Sequence, residues 1–184
     1  MSGPKIAPNL NTLPNWFSSS SNKPKRFNYI TSVTVLEPSD ENIGAYSVHL
    51  KSNLITHGDK EAETAKNIQK REVAVTQLVA HVHDVIEATM LAIKGIVIGG
   101  DFNTNHDQEM FAAEKTLDSL IGAGYENGFG ELPLSQRITH PGTHGFPDAT
   151  FDFLFTRDLQ ASPPIVTQTN ASDHWPVTRN FRLR

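Results

Sequence analysis

Apolar positions along this chain arrive in two rhythms. From Phe27 to Leu36 they recur at strand-like intervals through Tyr29, Ile30, Val33, Val35 and Leu36, and a second such run spans Ala45 to Leu50. Pro38, Ser39, Asp40, Asn42 and Gly44 lie between the runs, a pattern that predicts a β-hairpin or meander. The rhythm then lengthens. Across Asp59 to Ala92, Ile68, Val75, Leu78, Val79, Val82, Val85, Ile86 and Met90, followed by Ile93, keep a 3.6-residue spacing that no proline or glycine interrupts. This predicts one long helix, or two in series, facing a single core.

Gly95 is expected to cap that helix, and Ile96-Val97-Ile98 reads as a buried strand. Asp107 to Ile121 is expected as a second helix, with Thr104 or Asn105 as its N-cap and acidic residues in its first turn. Gly122 to Ala149, rich in Gly, Pro and His, reads as a long loop, and Phe151–Phe155, Ile165–Gln168 and Trp175–Leu183 as further strands. Residues 1–26 hold Pro4, Pro8, Pro14, Pro24 and the run Ser18 to Ser21. They read as an irregular arm whose Trp16-Phe17 would dock on the body, because large aromatics rarely sit free in water. Residues 27–184 then form one domain of the α+β class, its sheets covered by helices.

Composition narrows the picture only slightly. The 184 residues are 38% hydrophobic and 20% charged, ordinary for a soluble globular domain. A formal charge of −4 gives no overall pull toward nucleic acid, so a polyanionic substrate would be held by local cations or metal. Lys23, Lys25 and Arg26 form a small basic cluster that reads as a solvated turn. The absence of cysteine excludes disulfides, thiolate metal sites and a cysteine nucleophile, and leaves the compartment open. No stretch approaches the roughly 20 apolar residues of a membrane span. Met1-Ser2-Gly3-Pro4-Lys5 lacks the basic-then-apolar build of a signal peptide. A soluble chain without its own export signal is the expectation.

Candidate chemistry lies where polar residues interrupt or end apolar strands, an arrangement that costs folding energy unless the polar group is paired or used. In Gly99-Gly100-Asp101-Phe102-Asn103-Thr104, the glycines let the backbone turn sharply and approach a ligand closely. Asp101 and Asn103, two apart in extended chain, would share a face. The first offers a hard oxygen ligand for Mg²⁺ or Mn²⁺, the second an amide donor for a phosphate oxygen. Asp152 sits inside Phe151-Asp152-Phe153-Leu154-Phe155. It reads either as an edge-strand Asp with its phenylalanines turned inward or as the carboxylate that orients a histidine. Ser172-Asp173-His174-Trp175-Pro176 supplies such a histidine. The loop around Arg137, His140 and His144 reads either as a carrier of substrate choice, through Arg137 and His144, or as a polar loop without a role. On the long helix His81 and His83 point in different directions and read as solvated surface. His57 and His106, near helix starts, read as turn residues, with His106 close enough to Asp101 to line the cleft as the alternative.

Taken in order, His49-Leu50-Lys51-Ser52, Gly100-Asp101-Phe102-Asn103, Phe151 to Phe155 and Ser172 to Pro176 resemble the motifs of the endonuclease/exonuclease/phosphatase (DNase I-like) superfamily. The resemblance runs from about residue 27 to the C-terminus and implies a four-layer α/β/β/α sandwich. It further implies a divalent-metal-dependent phosphoesterase, a phosphodiesterase or nuclease in the first instance. In that reading His174 is the general base on the attacking water, oriented by Asp152. Asp101 orients the nucleophile or binds metal, Asp173 lies at the metal site, and Asn103 and His49 stabilise the phosphoryl oxygens. Lys51, Asn103, Arg137 and His144 are the candidate substrate contacts, with a phosphodiester, nucleic acid included, as the partner.

Two family motifs have no counterpart. No Gln-Glu pair precedes the hairpin, since the one such pair is Gln108-Glu109, and Asn11 stands at the wrong spacing for the family's first Asn. Three expectations follow. The chain is the C-terminal part of a longer enzyme, or a short variant drawing on Glu37, Asp40 or Glu41, or a non-catalytic member that binds a partner. A phosphomonoesterase acting on small esters is a further alternative. A shortened sandwich would expose a sheet edge and favour homo-oligomers.

Overall fold

The computed structural model describes residues 29–36, 41–88, 93–130, 132–143 and 146–184. The N-terminal arm with Trp16-Phe17, Asn11 and the Lys23/Lys25/Arg26 cluster lies outside the described residues. So do Glu37, Asp40, Met90 and His144, and the side chains of Val85 and Ile86.

The hairpin forms from β1 (Tyr29–Leu36) and β2 (Glu41–His49), paired antiparallel. The long apolar period becomes α1 (Lys60–Ala88), started by Asp59, whose carboxylate accepts the Ala62 N–H at 2.8 Å. The chain returns as β3 (Ile93–Asp101), parallel to β2, and β4 (Asp152–Arg157) adds antiparallel to β3. The result is a mixed sheet in the order β1-β2-β3-β4. A short helix α2 (Thr116–Gly122) follows β3. Beyond β4, β5 (Leu159–Ala161) pairs with β8 (Phe181–Leu183), and β6 (Ile165–Val166) pairs with β7 (Val177–Thr178). No helix among the described residues is long and apolar enough to cross a membrane.

One core holds these pieces together. Tyr46 and Val48 of β2, Ile96 and Ile98 of β3 and Phe153 and Phe155 of β4 pack with Val75, Leu78 and Val82 of α1 and Leu117 and Leu120 of α2. Phe102, fully buried, meets Phe153 and Phe155 edge-on at 5.7 and 5.2 Å between ring centres.

Several expected boundaries move, each for a packing reason. Asn42 and Gly44, expected in the turn, belong to β2, where a Cβ on Gly44 would come 2.7 Å from Ile96 Cδ1. Gly95 is not a helix cap but part of β3, and a side chain there would collide with Leu159. Gly99-Gly100 does not make the turn either; both residues are strand. Gly100, at φ +141°, is required because a Cβ would meet the Val48 carbonyl of β2. The second helix shrinks from Asp107–Ile121 to a single 3₁₀ turn, Glu109–Phe111, and α2. Asn105, expected as the N-cap, instead closes the bend before that turn, its Oδ1 accepting from the Asp107 and Gln108 N–H groups. The residue at the cap position, Gln108, makes no side-chain cap bond. Between turn and helix, α1 draws the chain inward, because Arg71 holds the Glu114 side chain and Glu72 accepts the Lys115 N–H. Finally, Trp175–Leu183 divides into β7 and β8, and Ile165–Gln168 shortens to β6.

Candidate active site

Strand register builds the first part of the site. His49 at the end of β2 pairs with Asp101 at the end of β3, and Asp101 pairs with Asp152 at the start of β4. These residues therefore occupy one row across neighbouring strands at one rim of the sheet. His49 Nε2 lies 3.5 Å from Asp101 Oδ2 and is largely exposed. Along β4 the phenylalanines Phe153 and Phe155 turn into the core, and Asp152 stays at the half-buried rim.

The turn comes after Asp101, at Asn103, whose φ of +53° lies in the left-handed region. Asn is among the few non-glycine residues that adopt it readily. Asp101 and Asn103 thus meet by a turn rather than by strand alternation. The Asn103 N–H donates to Asp101 Oδ1 at 2.8 Å, and its Nδ2 donates to Asp101 Oδ2 at 2.7 Å and to the Leu50 carbonyl at 3.2 Å.

A buried chain of contacts holds this turn from behind. Arg71 of α1, wholly buried, makes a two-pronged ion pair with Glu114 at 2.6 and 2.7 Å. Its Nη1 donates to the Lys51 carbonyl and to Asn53 Oδ1, both at 2.8 Å, and Asn53 Nδ2 donates to the Asn103 carbonyl at 2.9 Å. Neither Arg71 nor Glu114 was anticipated from the sequence. The available signal was a polar residue on an apolar stripe, since Asn67, Arg71, Val75, Leu78 and Val82 recur at helical spacing on the buried side of α1.

The long loop and the C-terminal segment complete the site. His174 Nδ1 and Asp152 Oδ2 are 2.7 Å apart. Thr139, fully buried, fixes both partners. Its hydroxyl accepts from the Phe151 and Asp152 N–H groups at 2.9 and 3.0 Å, and its carbonyl accepts from the Trp175 N–H at 2.6 Å. His140, next in the chain, exchanges backbone hydrogen bonds with Ala149, and its ring meets that of His174 edge-on at 4.9 Å. His140 was passed over in the sequence because the bridge to Ala149 that carries it here has no local signature.

Charge in the site is unevenly balanced. Burial, reinforced by the neighbouring Asp152, pushes the Asp101 carboxyl above its ordinary value, against the Asn103 N–H and the two histidines that lower it. For His174, burial pulls the imidazole down. The Asp152 hydrogen bond and charge, joined by Asp101 and Asp173, outweigh it and leave the pKa above the ordinary histidine value.

The other candidate residues stand apart from this arrangement. Lys51 is exposed and its ammonium donates to the adjacent Ser52 carbonyl. Arg137 is committed to the scaffold. It forks onto Asp107 at 2.6 and 2.7 Å and donates to the Leu132 carbonyl and the Thr150 hydroxyl. His106 pairs with Asp118 at 3.0 Å on the surface instead of lining the cleft. His81 is not solvated surface, as its half-buried ring meets Tyr46 edge-on at 6.1 Å.

Among the described residues two trios offer ligand atoms within 4.8 Å of one another: Asp101, Asp152 and His174, and His140, Asp173 and His174. Asp101 and Asp173, expected together at a metal, fall in different trios that share only His174.

Neither a protein-family model nor a curated protein matches the sequence. Solved structures do. An endonuclease/exonuclease/phosphatase from Beutenbergia cavernae aligns with a TM-score of 0.62 at 16% identity, over 86% of this chain and 40% of that one. A humanized TDP2 from D. rerio aligns at 0.54 and 17% identity, over 84% and 60%. The human Nocturnin catalytic domain aligns at 0.51 and 15% identity, over 85% and 53%. The chain spans about half the length of these structures. At such identities the likeness speaks to architecture, and the mixed sheet with its helices has the DNase I-like fold of the endonuclease/exonuclease/phosphatase proteins.

Proposed function

We propose that this chain carries the hydrolytic centre of a phosphoesterase, and of a phosphodiesterase or nuclease in particular. The observation that carries the reading is the Asp152–His174 pair, 2.7 Å apart, on the same rim as the Asp101–Asn103 turn. Asp152 holds the Nδ1 proton of His174 and so leaves Nε2 to take a proton from an attacking water. His49 presents its exposed ring to the phosphoryl oxygens. Asn103, whose Nδ2 hydrogens are taken by Asp101 and the Leu50 carbonyl, holds the Asp101 carboxylate in place and is not the direct phosphate donor that the motif implies. Arg71, through Asn53, keeps the Asn103 turn from relaxing.

A hard dication fits the donor set, because the half-buried Asp101 and Asp152 carboxylates repel each other and a cation would relieve that repulsion. Asp101, with Asp152 beside it, would hold Mg²⁺ or Mn²⁺, which would supply positive charge to the non-bridging phosphoryl oxygens. The named structural relatives include an endonuclease/exonuclease/phosphatase and a catalytic domain with bound sulfate.

The test is hydrolysis of bis(p-nitrophenyl) phosphate and of plasmid DNA by the purified chain, with and without Mg²⁺ or Mn²⁺. Turnover that needs metal and falls by about 10²–10⁴-fold in His174→Ala is expected. Turnover unchanged in that variant would exclude His174 as the base. Cleavage of p-nitrophenyl phosphate alone would shift the reading to a phosphomonoesterase, and no turnover on any substrate would favour a binding role.

A further inference from the structure

We infer that His140, Asp173 and His174 form a binding site for a transition-metal dication of the Zn²⁺ or Co²⁺ class, separate from the oxygen-rich corner at Asp101. Their ligand atoms lie within 4.8 Å of one another, and the two imidazole rings meet at 4.9 Å with an interplanar angle of 70°. Two nitrogens and one carboxylate are the donors that Zn²⁺, Co²⁺ and Ni²⁺ accept, whereas Mg²⁺ demands oxygen.

Two further features mark the trio as built for a ligand. His174 Nδ1 is hydrogen-bonded to Asp152 at 2.7 Å. This is the carboxylate–histidine arrangement that fixes the tautomer and leaves the other ring nitrogen for a metal. His140 Nδ1 is buried without any hydrogen-bond partner, an orphaned polar atom of a kind that folded proteins seldom keep. The frame around the trio is firm. His140 is paired with Ala149 through both backbone bonds at 3.0 Å, and the segment carrying His174 is tied to Thr139 through Trp175. The exposed Asp173 is the adjustable ligand. Ligand bonds of about 2.0–2.1 Å around a tetrahedral ion require the donors to close in by side-chain rotation, and three protein ligands leave the fourth position for water.

The inference stands without the phosphoesterase reading. If both hold, the transition metal occupies the ring nitrogen that the base needs, and it inhibits hydrolysis supported by Mg²⁺.

The experiment is a Co²⁺ titration of the full chain, free of any histidine tag, followed by visible absorption. Stoichiometric binding that millimolar Mg²⁺ does not displace is expected, weakened about tenfold or more in His140→Gln and in Asp173→Asn. X-ray absorption of the Zn²⁺-loaded wild-type chain should count two imidazoles, and this readout decides the matter if a variant fails to fold. Absence of Co²⁺ binding, displacement by Mg²⁺, fewer than two imidazoles, or unchanged affinity in a folded His140→Gln would overturn the site.

Discussion

At the scale of single residues, the site depends on polar groups held by hydrogen bonds they cannot easily exchange. Asn103 combines a left-handed backbone with two bonds to Asp101, so both oxygens of that carboxylate are held in a fixed orientation. Asp152 both orients His174 and raises its pKa. A general base works in its neutral form, so activity should fall as pH drops through the His174 pKa. Asp152→Asn removes the hydrogen-bonded charge that raises this value. The acid limb of the pH–rate profile should move to lower pH, while the maximal rate drops by about 10²–10⁴-fold through loss of orientation. A profile that keeps its acid limb in place would show that Asp152 does not govern His174.

At the scale of elements, α1 does more than cover the sheet. Its C-terminal half buries Val75, Leu78 and Val82 against the core, but its N-terminal half buries Asn67 and Arg71. Arg71 joins the loop after β2 to the turn after β3 and shortens the second helix by capturing Glu114. Removing one member of such a pair leaves the other charged and buried. Arg71→Met should therefore cost about 3–5 kcal/mol in urea unfolding. Replacing Arg71 and Glu114 together by apolar residues should recover much of that loss. If the double variant is no more stable than the single one, the desolvated charge is not the cause.

At the scale of the whole molecule, long loops are pulled onto the sheet rim by a few ionic anchors. Arg137 forks onto Asp107 and so ties the segment after β3 to the loop that carries Thr139 and His140. The Arg137 hydrogen bond holds the Asp107 pKa below its ordinary 3.8, against a smaller opposing effect of burial. A depressed carboxylate contributes stability above its unfolded pKa and loses it as pH falls through the folded one. Thermal unfolding of wild type and Asp107→Asn should thus differ at neutral pH and converge progressively below about pH 4. A gap that persists at pH 2 would point to packing instead of charge.

Local order was legible in the chain because it follows local rules. The apolar period of α1, the hairpin, and polar residues set at strand ends all follow from backbone periodicity, and the four ordered motifs pointed to the DNase I-like fold. Boundaries set by distant contacts were not legible. Gly95 and Gly100 look like turn glycines until Leu159 and the Val48 carbonyl are placed beside them. The row of His49, Asp101 and Asp152, the Arg71–Glu114 pair and the position of His140 beside His174 each join residues far apart in the chain. By itself the sequence determined which residues were too polar to sit idle in apolar strands. Only the tertiary structure decided which of them meet, because strand register and buried pairing are properties of segments brought together by the common core.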